Sequence, residues 1–210
     1  MKKRLEVVTG FLGSGKSSFI NSLIALTMIP TDKILVIQLE CGDTTINTHS
    51  KVKSIKFNKD LNMLSTFILE STYEFNASRV IIEYNGTLSL EDLYENLNIN
   101  KFKKEFYLGA NYFLCDGKTI DSYLFNMGGI LVPFISNANI ITVNNTLDIP
   151  SKALSPSLKK LKTLNKNAFI ICSDTPRDLY SILLKSKLFN RGLFAKALSS
   201  LSKYFKKDVL

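Results

Sequence analysis

Apolar residues along this chain fall into two alternating rhythms. Short, nearly unbroken apolar runs occur as "LEVVT" (5–9), "KILVIQL" (33–39), "RVIIEY" (79–84), "NYFLC" (111–115), "NIITV" (139–143) and "AFIIC" (168–172), with a weaker "KVKSIKF" at 51–57. Between them lie stretches with apolar positions three and four apart. In "SSFINSLIAL" these are Phe19, Ile20, Leu23, Ile24 and Leu26. "DLNMLSTFILESTY" (60–73) opens on Asp60, a good helix N-cap, and "SLEDLYENL" (89–97) opens on a capping-box pattern. Continuous apolar strands alternating with helices predict a parallel sheet covered on both faces, hence a three-layer α/β sandwich. Neither internal repeats nor a low-complexity linker interrupts the pattern. Residues 1–175 are expected to form one domain, with 176–210 as basic helices packed on it.

One junction carries chemistry. "GFLGSGKS", Gly10 to Ser17, follows the first strand, opens the first helix and fits G-x-x-x-x-G-K-[ST]. Gly10, Gly13 and Gly15 let the backbone wrap closely and aim N–H groups, Ser14's and Ser18's among them, at phosphate oxygens. Lys16 supplies a cation for the β- and γ-phosphates, Ser17 a hydroxyl for Mg²⁺, and the helix its N-terminal dipole. A nucleoside triphosphate with Mg²⁺ is therefore the expected ligand. Its metal needs a carboxylate at the end of a neighbouring strand. Glu83 in "RVIIEYNG" has that position, and the Gly86 N–H beyond it could approach the γ-phosphate. Glu40 and Asp43 in "VIQLECGD" are further candidates for metal or water; equally, they cap the loop.

These segments resemble the nucleotide domain of CobW-like GTPases, relatives of the HypB and UreG nickel-insertion proteins. The resemblance runs from "TGFLGSGKSS" through "LECGD", "IIEYNGTLSLEDL", "FLCDG" with Asp116, and "NANIITVNNT" to "LNKNAFIIC", about residues 4–173. It implies a P-loop fold, GTP hydrolysis and a metallochaperone-like accessory role in a metalloenzyme or cofactor pathway. Two departures stand out. The guanine-reading NKxD is Asn144-Asn145-Thr146-Leu147 here; only Asn144 matches and Asp148 comes one place late, so GTP is expected ahead of ATP by a reduced margin. The CxCC metal motif is absent from "KSIKFNKDLNM", and Cys41 with His49 does not make a tetrahedral set, which argues against a transition metal. The extra early lysine of MinD-type loops is also missing.

Composition sharpens the rest. The chain has 210 residues, 45% hydrophobic and 21% charged, which is ordinary for a globular protein. Cys41, Cys115 and Cys172 are odd in number and fit no disulfide spacing, and no apolar run is long enough to span a bilayer. "MKKR" has no signal-peptide core behind it, so a cytoplasmic location is expected. The net charge of +9 is uneven: residues 1–150 hold 14 Lys/Arg against 15 Asp/Glu, and residues 151–210 hold 13 against 3. An acidic protein partner for 151–210 follows; nucleic acid does not, for want of a stacking platform. In the tail, Leu193, Phe194, Ala197, Leu198, Leu201, Tyr204 and Phe205 share a helical face, with Lys196, Lys203, Lys206 and Lys207 largely off it. A nucleotide-dependent homodimer is a further partner expectation. The rival readings are an ATP-dependent small-molecule kinase and a nucleotide-gated binding module with negligible turnover. The kinase is disfavoured because Arg4 and Arg79 stand at strand starts and the expected lid, 117–137, has one lysine and no arginine.

Overall fold

A computed structural model describes residues 2–40, 42, 44–186, 188 and 189. Seven strands make one sheet: β1 (Lys3–Gly10), β2 (Ile34–Gln38), β3 (Val52–Lys56), β4 (Arg79–Asn85), β5 (Phe106–Asp116), β6 (Ile140–Asn144) and β7 (Phe169–Cys172). Their order is β3-β2-β4-β1-β5-β6-β7, and every neighbouring pair is parallel. All seven strand C-termini therefore open on one edge, with β1 at the centre.

The alternation of side chains divides the core in two. Val7, Ile37 and Ile82 point to one face, where α2 (Leu64–Phe75), α3 (Leu90–Leu97), α5 (Ile120–Asn137) and α6 (Ser151–Leu164) contribute Ile68, Leu93, Phe134 and Leu161. Val8, Val36 and Ile81 point to the other, covered by α1 (Lys16–Thr27) and α7 (Leu179–Lys185) through Phe19, Leu23, Leu179 and Leu183. Burial on both faces is why the strands read as unbroken apolar runs. A short helix, α4 (Asn100–Glu105), leads into β5.

Details differ from the sequence reading. Asp60 caps a 3₁₀ turn at Leu61–Met63, and α2 begins only at Leu64. β5 starts at Phe106, five residues before the apolar run, because Lys3, Arg4 and Leu5 of β1 pair with it across a register shift. Within 117–137, residues 120–137 form helix α5, kinked at Met127, with Phe134 and Ile135 buried against the sheet. The tail residues from Leu193 to Phe205, and Asp43, lie outside the described residues. No helix among the described residues is long and apolar enough to cross a membrane.

Candidate nucleotide site

The glycine turn leaves β1 at the sheet edge and enters α1. Gly10, Gly13 and Gly15 have φ of 143°, 78° and 90°. A Cβ on Gly10 would stand 2.2 Å from the Leu114 carbonyl oxygen, and one on Gly15 would stand 2.6 Å from Asn144 Nδ2. Only glycine fits either place. Gly15 is the N-cap of α1 and no side chain bonds the first N–H groups of that helix, so they point into the turn as an anion-binding end.

Lys16 and Ser17 open the helix, and each meets a carboxylate. Lys16 Nζ donates to Gly10 O at 2.8 Å, to Phe11 O at 3.0 Å and to Glu40 Oε2 at 2.5 Å. Ser17 Oγ donates to Glu83 Oε1 at 2.8 Å. The second oxygen of Glu83 accepts from Gln38 Nε2 at 2.7 Å, and Gln38 Oε1 accepts from Ser54 Oγ at 2.8 Å. Burial raises the Glu83 carboxyl; the Gln38 and Ser17 hydrogen bonds and Lys16 oppose it, Glu40 adds to it, and the net direction is upward.

The other expected residues take distinct places. Gly86 lies against the loop and donates its N–H to Gly10 O at 3.2 Å, so its backbone faces the loop. Asn144 is fully buried at the end of β6 and bonds Ser14 O at 2.5 Å, holding the loop from beneath. Ser14 is buried with its Oγ unpartnered, and Ser18 is half-buried on α1. Asn145, in a left-handed conformation, donates to Asp116, while Asp148 is exposed and paired with Lys118, and Leu147 is 66% exposed. A cavity of about 240 Å³ flanks the loop between Phe11, Ser14, Asp116, Thr119 and Tyr123, with the Phe11 and Tyr123 rings 4.4 Å apart.

Residues 4–171 match the family profile described as CobW/HypB/UreG, nucleotide-binding domain. The chain belongs to that family. Among solved structures, this CobW/HypB/UreG domain is similar to the Zn(II)-bound YjiA GTPase of E. coli (TM-score 0.61, 18% identity, 81% of this chain and 57% of that one). It is also similar to the hydrogenase maturation factor HypB of Archaeoglobus fulgidus (TM-score 0.53, 15% identity, 90% and 89%). A third similar structure is the signal recognition particle receptor FtsY of Elizabethkingia anophelis (TM-score 0.52, 14% identity, 81% and 57%). At these identities the likeness shows a shared α/β P-loop fold, and the chain spans 57% of the YjiA length. No curated protein sequence matches this one.

Gln38 and Ser54 carry no motif, and only the register brings them to Glu83. Arg4 and Arg79 start their strands at the opposite edge from the phosphate loop. There the buried Glu6 accepts from Arg79 Nε, from Arg4 Nη2 at 2.7 Å and from Tyr112 OH at 2.8 Å, while Arg79 Nη1 reaches Thr27 Oγ1 at 2.7 Å. Burial would raise the Glu6 carboxyl, but Arg79 and Arg4, with hydrogen bonds from Arg79 and Tyr112, hold it below the usual range. No group of three or more His, Cys, Asp or Glu able to hold a metal occurs among the described residues. Burial pushes the Cys115 and Cys172 thiols up, away from the thiolate a soft metal selects.

Proposed function

We propose that this domain binds and hydrolyses a nucleoside triphosphate, GTP ahead of ATP, as a slow nucleotide switch in an accessory protein. The observation that carries the reading is the meeting of Lys16 and Ser17, at the uncapped start of α1, with two strand-end carboxylates. The glycine turn aligns N–H groups on phosphate oxygens, and Lys16 exchanges Glu40 for phosphate. Ser17 and Glu83 offer hard oxygen donors 2.8 Å apart, a set that suits Mg²⁺; Mg²⁺ bound there neutralises charge on the phosphates. Glu83, held from two sides, orients the attacking water.

Arg4 and Arg79 are held by Glu6, while the exposed Arg177 follows Pro176, which stands against Gly15 of the loop. The reading gives none of them the part of an arginine finger, and P-loop GTPases without such a finger turn over slowly, on the order of 10⁻⁴ to 10⁻² per second. That favours a switch over a metabolic catalyst. It also disfavours the kinase, since Arg4 and Arg79 are committed to Glu6. Preference for GTP is supported by the YjiA likeness and is held to a narrow margin, because Leu147 offers the base no acceptor. The donor set does not suit a soft transition metal, and the reading includes no metal-transfer step. The partner is an acidic protein surface: α6 exposes Lys152, Lys159, Lys160 and Lys162, and Lys166 is exposed just after it.

Lys16→Ala tests the reading. It removes the ammonium that three acceptors now share, so calorimetry is expected to show no GTP or ATP binding while circular dichroism shows the fold intact. Unchanged affinity would refute the nucleotide site.

A further inference from the structure

We propose that Gln38, anchored by Ser54, is a positioning residue that fixes the Glu83 carboxylate against Ser17. The proposal rests on the nucleotide reading and assigns a role to two residues outside every motif.

Register sets the row. Gln38 of β2 pairs with Glu83 of β4, and Val36 of β2 pairs with Ser54 of β3. Residues two apart in a strand share a face, so Ser54, Gln38 and Glu83 line up across three strands on the α1 side. Ser17, in the first turn of α1, closes the row. The bonds run one way. The Ser54 hydroxyl donates to Gln38 Oε1 at 2.8 Å, which turns the amide so that Nε2 donates to Glu83 Oε2 at 2.7 Å. One carboxylate oxygen is thereby occupied and the other, Oε1, is presented to Ser17.

The need for such a clamp lies in the crowding of the site. Glu83 is 2% exposed and Gln38 is 8% exposed. Lys16 and Glu40 lie close enough to Glu83 to act on it electrostatically, from opposite signs. A glutamate with three rotatable bonds and no second partner would swing towards the Lys16 ammonium and leave Ser17. Held by the amide, Glu83 stays with Ser17 and Glu40 keeps Lys16. A neutral donor does this without adding a third carboxylate or a second cation beside the phosphates. A lysine at 38 would compete with Lys16, and a glutamate would repel Glu83.

The test is the gain in nucleotide affinity that Mg²⁺ confers, measured on the full chain by calorimetry with a non-hydrolysable GTP analogue, in MgCl₂ and in EDTA. Gln38→Met keeps the length of the side chain and removes the donor. It is expected to hold the EDTA affinity within about twofold and to cut the Mg²⁺-dependent gain about tenfold, the scale of one hydrogen bond to a charged group. Ser54→Ala, on the edge strand, is expected to give a smaller cut in the same quantity, and Ser54→Thr to restore it. A full Mg²⁺ gain in Gln38→Met overturns the proposal, as does an equal loss in EDTA and MgCl₂, which marks a residue that only packs. If Gln38→Met unfolds, the Ser54→Ala and Ser54→Thr pair decides by the same readout. A parent chain that binds the analogue with no Mg²⁺ dependence overturns the metal role of Glu83 itself, and with it the clamp.

Discussion

Glu40→Gln separates two roles by the sign of its effect. The Lys16 ammonium has three donors, and all three are used: Gly10 O at 2.8 Å, Phe11 O at 3.0 Å and Glu40 Oε2 at 2.5 Å. The two side chains are 4% and 15% exposed, so solvent screens the pair only weakly. A phosphate oxygen that takes this ammonium must displace the carboxylate, the strongest of the three acceptors. A hydrogen bond to a charged group is worth about 1.5–3 kcal/mol. Glutamine keeps the length and a neutral carbonyl acceptor, so roughly 1 kcal/mol of that competition is removed. The expected result in EDTA is nucleotide binding about fivefold tighter, read by calorimetry or by displacement of a fluorescent GDP. If Glu40 instead serves as a metal ligand, Glu40→Gln leaves the EDTA affinity alone and weakens binding in MgCl₂. An unchanged EDTA affinity would refute the competition argument, whatever happens with Mg²⁺.

Three further outcomes are expected. Gly86→Ala places a Cβ 2.7 Å from Gly10 C and 2.9 Å from Gly10 O, both backbone atoms; overpacking of about 1–3 kcal/mol should lower the melting temperature and weaken nucleotide binding together. Glu83→Gln should keep substantial nucleotide affinity, lose most single-turnover hydrolysis and melt higher at neutral pH. The native carboxyl is raised, so ionising it opposes folding as pH rises from the unfolded value through the folded one, and glutamine removes that penalty. For the same reason Mg²⁺-dependent affinity of the parent should fall as pH is lowered through the raised value. Arg79→Leu leaves Glu6 buried with Arg4 and Tyr112 alone, which should cost about 3 kcal/mol in urea unfolding at neutral pH. The parent's Glu6 is held low and so contributes stability above the unfolded carboxyl value that is lost as pH falls through the folded one. The variant should instead regain part of its loss on acidification, and parallel pH slopes would rule this out.

The seven strands were legible because a strand buried on both faces needs no polar partner pattern. Its apolar run is its signature, and even the half-exposed "KVKSIKF" formed the edge strand β3 at Val52–Lys56. The phosphate loop was legible because its chemistry is local: three glycines, a lysine and a serine within eight positions. What escaped was whatever depends on which strands are neighbours. Ser54, Gln38 and Glu83 are separated by up to 45 positions, and nothing in "VKSIK" or "VIQL" announces a shared face. Glu6 and Arg79 are 73 positions apart and look like strand-end charges until β1 and β4 pair. Helix α5 is only weakly marked in the sequence, for a local reason. Its Gly128, Gly129 and Pro133 are turn-forming residues, and its first half has little apolar periodicity, because Phe125 is 90% exposed.

Helix α1 is tied to strand β4 at both of its ends. Near one end Ser17 meets Glu83, and at the other Thr27 meets Arg79, both partners belonging to the same strand. The helix between them is about 18 Å long at 1.5 Å per residue over its 12 residues. Helix and strand thus form the long sides of a closed frame whose short sides are polar bonds. A frame of this kind resists shear: α1 cannot slide along β4 without straining both ends at once. Sideways the loop is met by Glu40 through Lys16 and, through the Phe11 ring, by Tyr123 in the first half of α5; under the proposed nucleotide switch, those two contacts are where a change of nucleotide is expected to become visible from outside.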